Sequence, residues 1–224
     1  MRQTAFQIGP LPALLLGEPS RRVFLFLHGQ GGSKEEAIPF AKLAVPRGWQ
    51  VLGVDLVRQL PWDAREDLRQ VDAYLSQHWS EWSIRANSLG AWFSLLAFSG
   101  RPVKHSLFVS PVLDMERLIL DMMKWAGVTE ERLEQEKEIP TSFGQTLSWA
   151  YLSYVRQHPV VDWTVPTEIL YAGQDSMVAR ETVDAFVQTH TCGLTVLDQG
   201  EHWFHTPEQL QFLKTWEEKC FDFM

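Results

Sequence analysis

A chain of 224 residues, 45% apolar and 21% charged, has the length for one full hydrophobic core, which excludes a disordered or membrane-embedded protein and makes one globular domain, residues 1–224, the expectation. Its formal net charge of −8 excludes nucleic acid and anionic membranes as main partners, because the mean field repels both. Two cysteines, Cys192 and Cys220, are too few for a disulfide framework, and each reads as a small packed residue.

In chain order, TAFQIG and PALLLG are short extended segments separated by Gly9, Pro10 and Pro12, which predicts an opening hairpin. The apolar run LPALLLG is too short to span a bilayer and lacks the features of a secretory signal, so a cytoplasmic protein without a membrane span is expected. RRVFLFLHG has an unbroken apolar centre suited to a strand covered on both faces, and WQVLGVDL and WSIRAN share that character. VKHSLFVS, TEILYAG and GLTVLDQG continue the series. Between them, residues 63–79 place Ala64, Leu68, Val71, Leu75 and Trp79 on one helical face, with Asp63 and Glu66 spaced as a capping pair. Residues 88–99 are apolar nearly all round, as in a helix packed centrally on a sheet. A helix over 178–190 gathers Val183, Phe186, Val187 and His190, and TPEQL starts a last helix with Thr206 as cap and a buried stripe of Leu210, Leu213, Trp216 and Cys220.

Strand and helix alternate from residue 23 onward, which predicts an α/β fold with a mostly parallel, doubly wound sheet. The alternation breaks once, over residues 114–162, about fifty residues where a crossover needs far fewer. Helical patterns at 115–126, 129–138 and 146–157 make this segment an expected helical lid over the carboxyl ends of the strands, where open α/β sheets bind ligands. Its aromatics Trp125, Phe143, Trp149, Tyr151 and Tyr154 either line a pocket or seat the lid on the sheet.

The loops that follow the strands carry the chemistry. HGQGGS, residues 28–33, has three glycines in four positions, so its backbone can turn sharply and present N–H groups to a bound oxygen. ANSLGAW follows a strand, and Ser88 in it reads either as a helix cap or as a nucleophile pushed clear of the sheet by a tight turn, with small Ala86 and Gly90 on either side. Asp175 in GQDSMV reads as a helix cap or as the partner of an imidazole. EHWFHT offers His202 in the loop and His205 at the helix entry, and the loop position makes His202 the favoured base. His202 and His205 stand three apart without an Asp/Glu/His cluster of metal-binding spacing, so no metal and no cofactor are expected.

Taken together, FLHGQGG, ANSLGAW, YAGQDSMV and GEHWFHT place a glycine loop, a serine, an acid and a histidine in that chain order, and on these motifs the sequence resembles the α/β-hydrolase superfamily over nearly its whole length. It is most similar to small single-domain bacterial serine hydrolases and esterases with a helical lid. The resemblance implies Ser88 as nucleophile, His202 as general base and Asp175 as its partner. It also implies an oxyanion hole formed by the backbone N–H groups of Gln30 and Leu89. His28, Trp149 and Trp203 are expected to contact the substrate. One departure from the family pattern is Ala86, where glycine is usual. The implied activity is hydrolysis of carboxylic esters of small to medium acyl groups through an acyl-enzyme intermediate. A thioesterase, a serine peptidase or an acyltransferase on the same three residues, and a non-catalytic binding protein with the same fold, stay open here as alternatives, as does the oligomeric state.

Overall fold

The computed structural model describes residues 1–160 and 162–223. The chain opens with β1 (Gln3–Ile8) and β2 (Leu11–Leu16), an antiparallel hairpin turned at Gly9, whose φ of +55° suits a residue without a side chain. Then come β3 (Arg22–Leu27), α1 (Ala37–Ala44), β4 (Gln50–Val54), α2 (Pro61–His78), β5 (Glu81–Asn87), α3 (Leu89–Phe98) and β6 (Ser106–Val109). An insertion carries α4 (Met115–Ala126), α5 (Glu130–Glu136), the short strands β7 (Glu138–Pro140) and β8 (Thr146–Ser148), and α6 (Trp149–Gln157). The chain closes with β9 (Thr167–Ala172), α7 (Arg180–Thr189), β10 (Cys192–Leu197) and α8 (Pro207–Cys220).

The eight-stranded sheet has the order β1-β2-β4-β3-β5-β6-β9-β10. From β4 to β10 every neighbouring pair is parallel, and β2 joins β4 antiparallel. Period-two alternation divides each strand between two cores. In β3, Val23, Leu25 and Leu27 face a core that includes Leu68 and Val71 of α2 and Phe93 of α3, whereas Phe24 and Phe26 face one with Phe40 of α1 and Trp216 of α8. Each such Leu or Phe contributes roughly 1.5–3 kcal/mol on burial, so register is enforced from both faces and all the connecting loops after the parallel strands leave by one rim. That rim is where the candidate site lies.

Four local expectations need correction. Helix α2 begins at Pro61, a residue suited to the first turn, so Asp63 is no cap and instead pairs with Arg58 at 2.8 Å. The insertion holds a hairpin where helix was expected: α5 stops at Lys137, whose φ is +68°, and β7 pairs with β8 across a turn containing Gly144 at φ +84°. Helix α7 starts at Arg180 because the Asp175 side chain holds the N–H groups of Met177 and Val178 in the preceding loop. Leu210 is exposed and lies at a cavity, so the buried stripe of α8 runs through Trp216 and Cys220 without it. Among the described residues, no helix is long and apolar enough to cross a membrane.

Candidate active site

Ser88 sits between the last residue of β5 and the first of α3 with φ +45° and ψ −114°, a backbone conformation that L-residues rarely adopt. Long-range hydrogen bonds hold it there. Its N–H donates to the Val109 carbonyl at 3.0 Å, and its own carbonyl accepts from Ala91 and Val112, each at 3.1 Å. The turn is tight because α3 starts against β3: a methyl group at Gly90 would lie 2.6 Å from the carbonyl oxygens of both Leu27 and His28. Ala86 is different. Its methyl is fully buried between the neighbouring strand positions Leu27 and Phe108, so the core accommodates alanine there.

The strained turn delivers the Ser88 hydroxyl to an imidazole. Ser88 Oγ lies 2.8 Å from His202 Nε2, and His202 Nδ1 lies 2.6 Å from Asp175 Oδ2. With its proton on Nδ1, the His202 ring donates to the carboxylate and accepts the hydroxyl proton, so one tautomer satisfies both contacts. The Asp175 side chain is 0% exposed, and its Oδ1 accepts from the backbone N–H groups of Met177 and Val178 at 2.8 and 2.9 Å. Loops after β5, β9 and β10 therefore meet at one point. His205 does not reach it: its Nδ1 turns back to the Trp203 carbonyl at 2.8 Å.

Ser88 and His202 open on a cavity of about 1090 Å³. The glycine loop forms one wall, and its far end is tied down by Lys34, whose N–H and ammonium hydrogen-bond Asp55 at 2.6 and 2.8 Å. Gln30 and Leu89 both line the cavity, and neither backbone N–H has a hydrogen-bond partner among the described residues. The Gln30 side chain reaches across to Gln145 of the insertion at 3.0 Å. Met115, Leu118, Ile119 and Leu147 give the insertion's wall its apolar character. Tyr151 joins them, and burial pushes its phenol well above the ordinary tyrosine range, so it stays neutral.

No sequence-family profile and no curated protein sequence matches the chain. Solved structures do. Est1E from Butyrivibrio proteoclasticus superposes with a TM-score of 0.81 at 17% identity, over 98% of this chain and 97% of that one. Alpha/beta hydrolase domain-containing protein 10 from mouse gives 0.76 at 15% identity, over 99% of both chains. The thioesterase domain from the curacin biosynthetic pathway gives 0.60 at 16% identity, over 97% of this chain and 99% of that one. The chain has the α/β-hydrolase fold.

Within the α/β-hydrolase fold, the three residues expected to contact substrate have different positions. Trp203 is 79% exposed and lines the cavity. His28 does not. It is 2% exposed, accepts the Leu56 N–H on Nε2 at 3.0 Å and faces the Gly29 carbonyl with Nδ1 at 2.6 Å, so both ring nitrogens brace the glycine loop. Trp149 also lies off the cavity, half-buried against the core as the first residue of α6, and its neighbours Ser148, Ala150 and Tyr151 line the cavity instead. Sequence reasoning missed Trp62, Met177 and the buried pair Arg85 and Glu217, all of which line the cavity. Only the charged residue in the middle of an apolar strand, Arg85 in WSIRAN, left a trace in the sequence.

Proposed function

We propose that the protein is a serine hydrolase that cleaves carboxylic esters of small to medium acyl groups through an acyl-enzyme intermediate. The observation that carries this reading is the unbroken hydrogen-bond relay Ser88–His202–Asp175 at the edge of a large, partly apolar cavity. Ser88 Oγ attacks the ester carbonyl carbon while its proton moves to His202 Nε2. The Gln30 and Leu89 N–H groups receive the oxyanion, both being unspent among the described residues. The C–O bond to the alcohol then breaks, and His202 returns its proton to the departing oxygen. Water attacks the acyl-enzyme, gives its proton to His202 and releases the carboxylic acid, after which the proton goes back to Ser88.

In this reading the segment 114–162 acts as a lid, since residues of α4, β8 and α6 line the same cavity as Ser88 and His202. The neighbours support the choice of acyl chemistry: one structure of Est1E has ferulic acid bound, the curacin domain is a thioesterase, and a further structure of similar fold is a Pyrococcus furiosus esterase. An alcohol leaves more readily than an amine, which favours esters over amides. The test is hydrolysis of p-nitrophenyl butyrate by wild type and Ser88→Ala. The variant is expected to fall by at least about 10³ in kcat, and equal rates would remove Ser88 from the reaction. Stoichiometric phosphonylation of Ser88 by a fluorophosphonate separates an enzyme from a binding protein of the same fold.

A further inference from the structure

The cavity straddles Ser88 and has two arms. One lies under the insertion. The other is lined from the opposite face of the sheet, beside α1 and α8, by Phe26, Phe40, Phe204 and Leu213. Its floor is charged. Arg85 is 2% exposed; its Nε donates to Glu217 Oε1 at 2.8 Å, and its Nη1 donates to Asn87 Oδ1 at 2.7 Å and to the Ala86 carbonyl at 3.1 Å. Arg85 Nη2 and Glu217 Oε2 have no hydrogen-bond partner among the described residues, and both side chains border the cavity. Neither atom is sealed away from the cavity, so each is open to a ligand or to water.

The surrounding charge decides what fits. Each open group is paired with one of opposite character, the guanidinium of Arg85 with the carboxyl of Glu217. A ligand carboxylate or phosphate would meet Glu217, and a ligand ammonium would meet Arg85. A neutral hydroxyl suits both open groups, accepting from Arg85 Nη2 and donating to Glu217 Oε2. The apolar walls take the carbon skeleton that carries it. Position in the reaction follows from His202, which must protonate the departing oxygen: Phe204, two residues further on, is part of this arm. Arg85 and Ser88 are three residues apart, so their backbones are at most about 10 Å from each other, and both side chains border the same cavity.

We propose that the arm beside α1 and α8 binds the leaving alcohol, and that Arg85 and Glu217 select an alcohol with a second hydroxyl group. This rests on the serine-hydrolase reading of Ser88. The test compares 6-hydroxyhexyl butyrate with hexyl butyrate. Wild type is expected to favour the hydroxylated ester by about 10-fold or more in kcat/KM, the size of a hydrogen bond to a charged group. In Arg85→Met/Glu217→Leu, a joint replacement of the kind buried ion pairs tolerate, the ratio is expected to fall to about one. Leu213→Trp, which fills the arm and leaves the pair intact, should abolish the preference too. A pair that merely braces α8 would leave the wild-type ratio near one. Calorimetric binding of the two intact esters to Ser88→Ala reads the same preference without turnover. Equal binding together with equal wild-type hydrolysis overturns this inference and leaves the Ser88 reading standing. Undiminished hydrolysis by Ser88→Ala overturns the Ser88 reading, and the assignment of a leaving-alcohol arm falls with it.

Discussion

Asp175 and His202 are joined at 2.6 Å through Oδ2 and Nδ1, while Asp175 Oδ1 is fully engaged by two backbone N–H groups of its own loop. The carboxylate thus has one oxygen for position and one for the imidazole. In Asp175→Asn the amide oxygen is held by Met177 and Val178, which turns the NH2 toward His202 Nδ1. That stabilises the tautomer with its proton on Nε2, where it cannot accept the Ser88 proton. A fall in kcat on the order of 10⁴ with little change in thermal stability is expected. Activity within tenfold of wild type would mean that Asp175 only shapes its loop.

Gly90→Ala tests the close approach of α3 to β3. The added methyl meets two backbone carbonyls, which cannot rotate away, so the helix start must shift and carry the Leu89 N–H with it. Overpacking of this kind costs about 1–3 kcal/mol, and displacement by about 1 Å at the reacting groups lowers turnover by on the order of 10²-fold. Urea unfolding and ester turnover measured together are expected to show both losses; a variant matching wild type in both would show that the turn has room.

The two thiols give a pH prediction. Burial, with Glu168 adding repulsion, pushes Cys192 up to about 11 and Cys220 up to about 12. Both stay protonated at pH 8, so a disulfide reagent is expected to titrate them only after denaturant is added. The folded chain holds these protons more tightly than the unfolded one, so stability falls as pH rises above the ordinary thiol value near 9 and continues to fall toward the folded values. Replacing both by alanine should flatten that part of the alkaline decline, and an unchanged profile would assign it elsewhere.

Arg156 clasps the insertion. Its Nε donates to Glu116 at 2.7 Å and its two Nη groups to Glu130 at 2.7 and 2.9 Å, tying α6 to the first turns of α4 and α5. The guanidinium holds Glu130 below the ordinary carboxylate range, so the clasp is complete above that range and is lost as pH falls through the lowered value. Its groups are more than a third exposed, which limits its worth to about 1 kcal/mol or less. Arg156→Ala is expected to leave global stability nearly unchanged and to speed amide exchange across residues 114–158. Unaltered exchange there would show that apolar packing alone seats the segment.

Much of this architecture is legible in the sequence because it depends on near neighbours. The apolar centres of β3, β4 and β5 and the helical face of α2 follow from periods of two and 3.6 residues, and the order Ser88, Asp175, His202 follows from reading the loops after the strands. What failed at this level failed through local competition. Proline at 61 captured the start of α2 from Asp63, and Lys137 in a left-handed conformation ended α5 before a hairpin that no periodicity marks.

The sequence by itself determined the alternating elements, the broken rhythm at the insertion and the residue types able to move a proton, since each depends on a few adjacent side chains. Tertiary structure alone decided that Asp175 divides its two oxygens between His202 and the loop's own N–H groups, that the His28 ring braces a loop instead of facing the cavity, and that Arg85 meets a glutamate 132 positions away. Those choices turn on which loops a parallel sheet brings to its common rim and on the sub-ångström aim of side chains there. Neither property is written in any short stretch of chain.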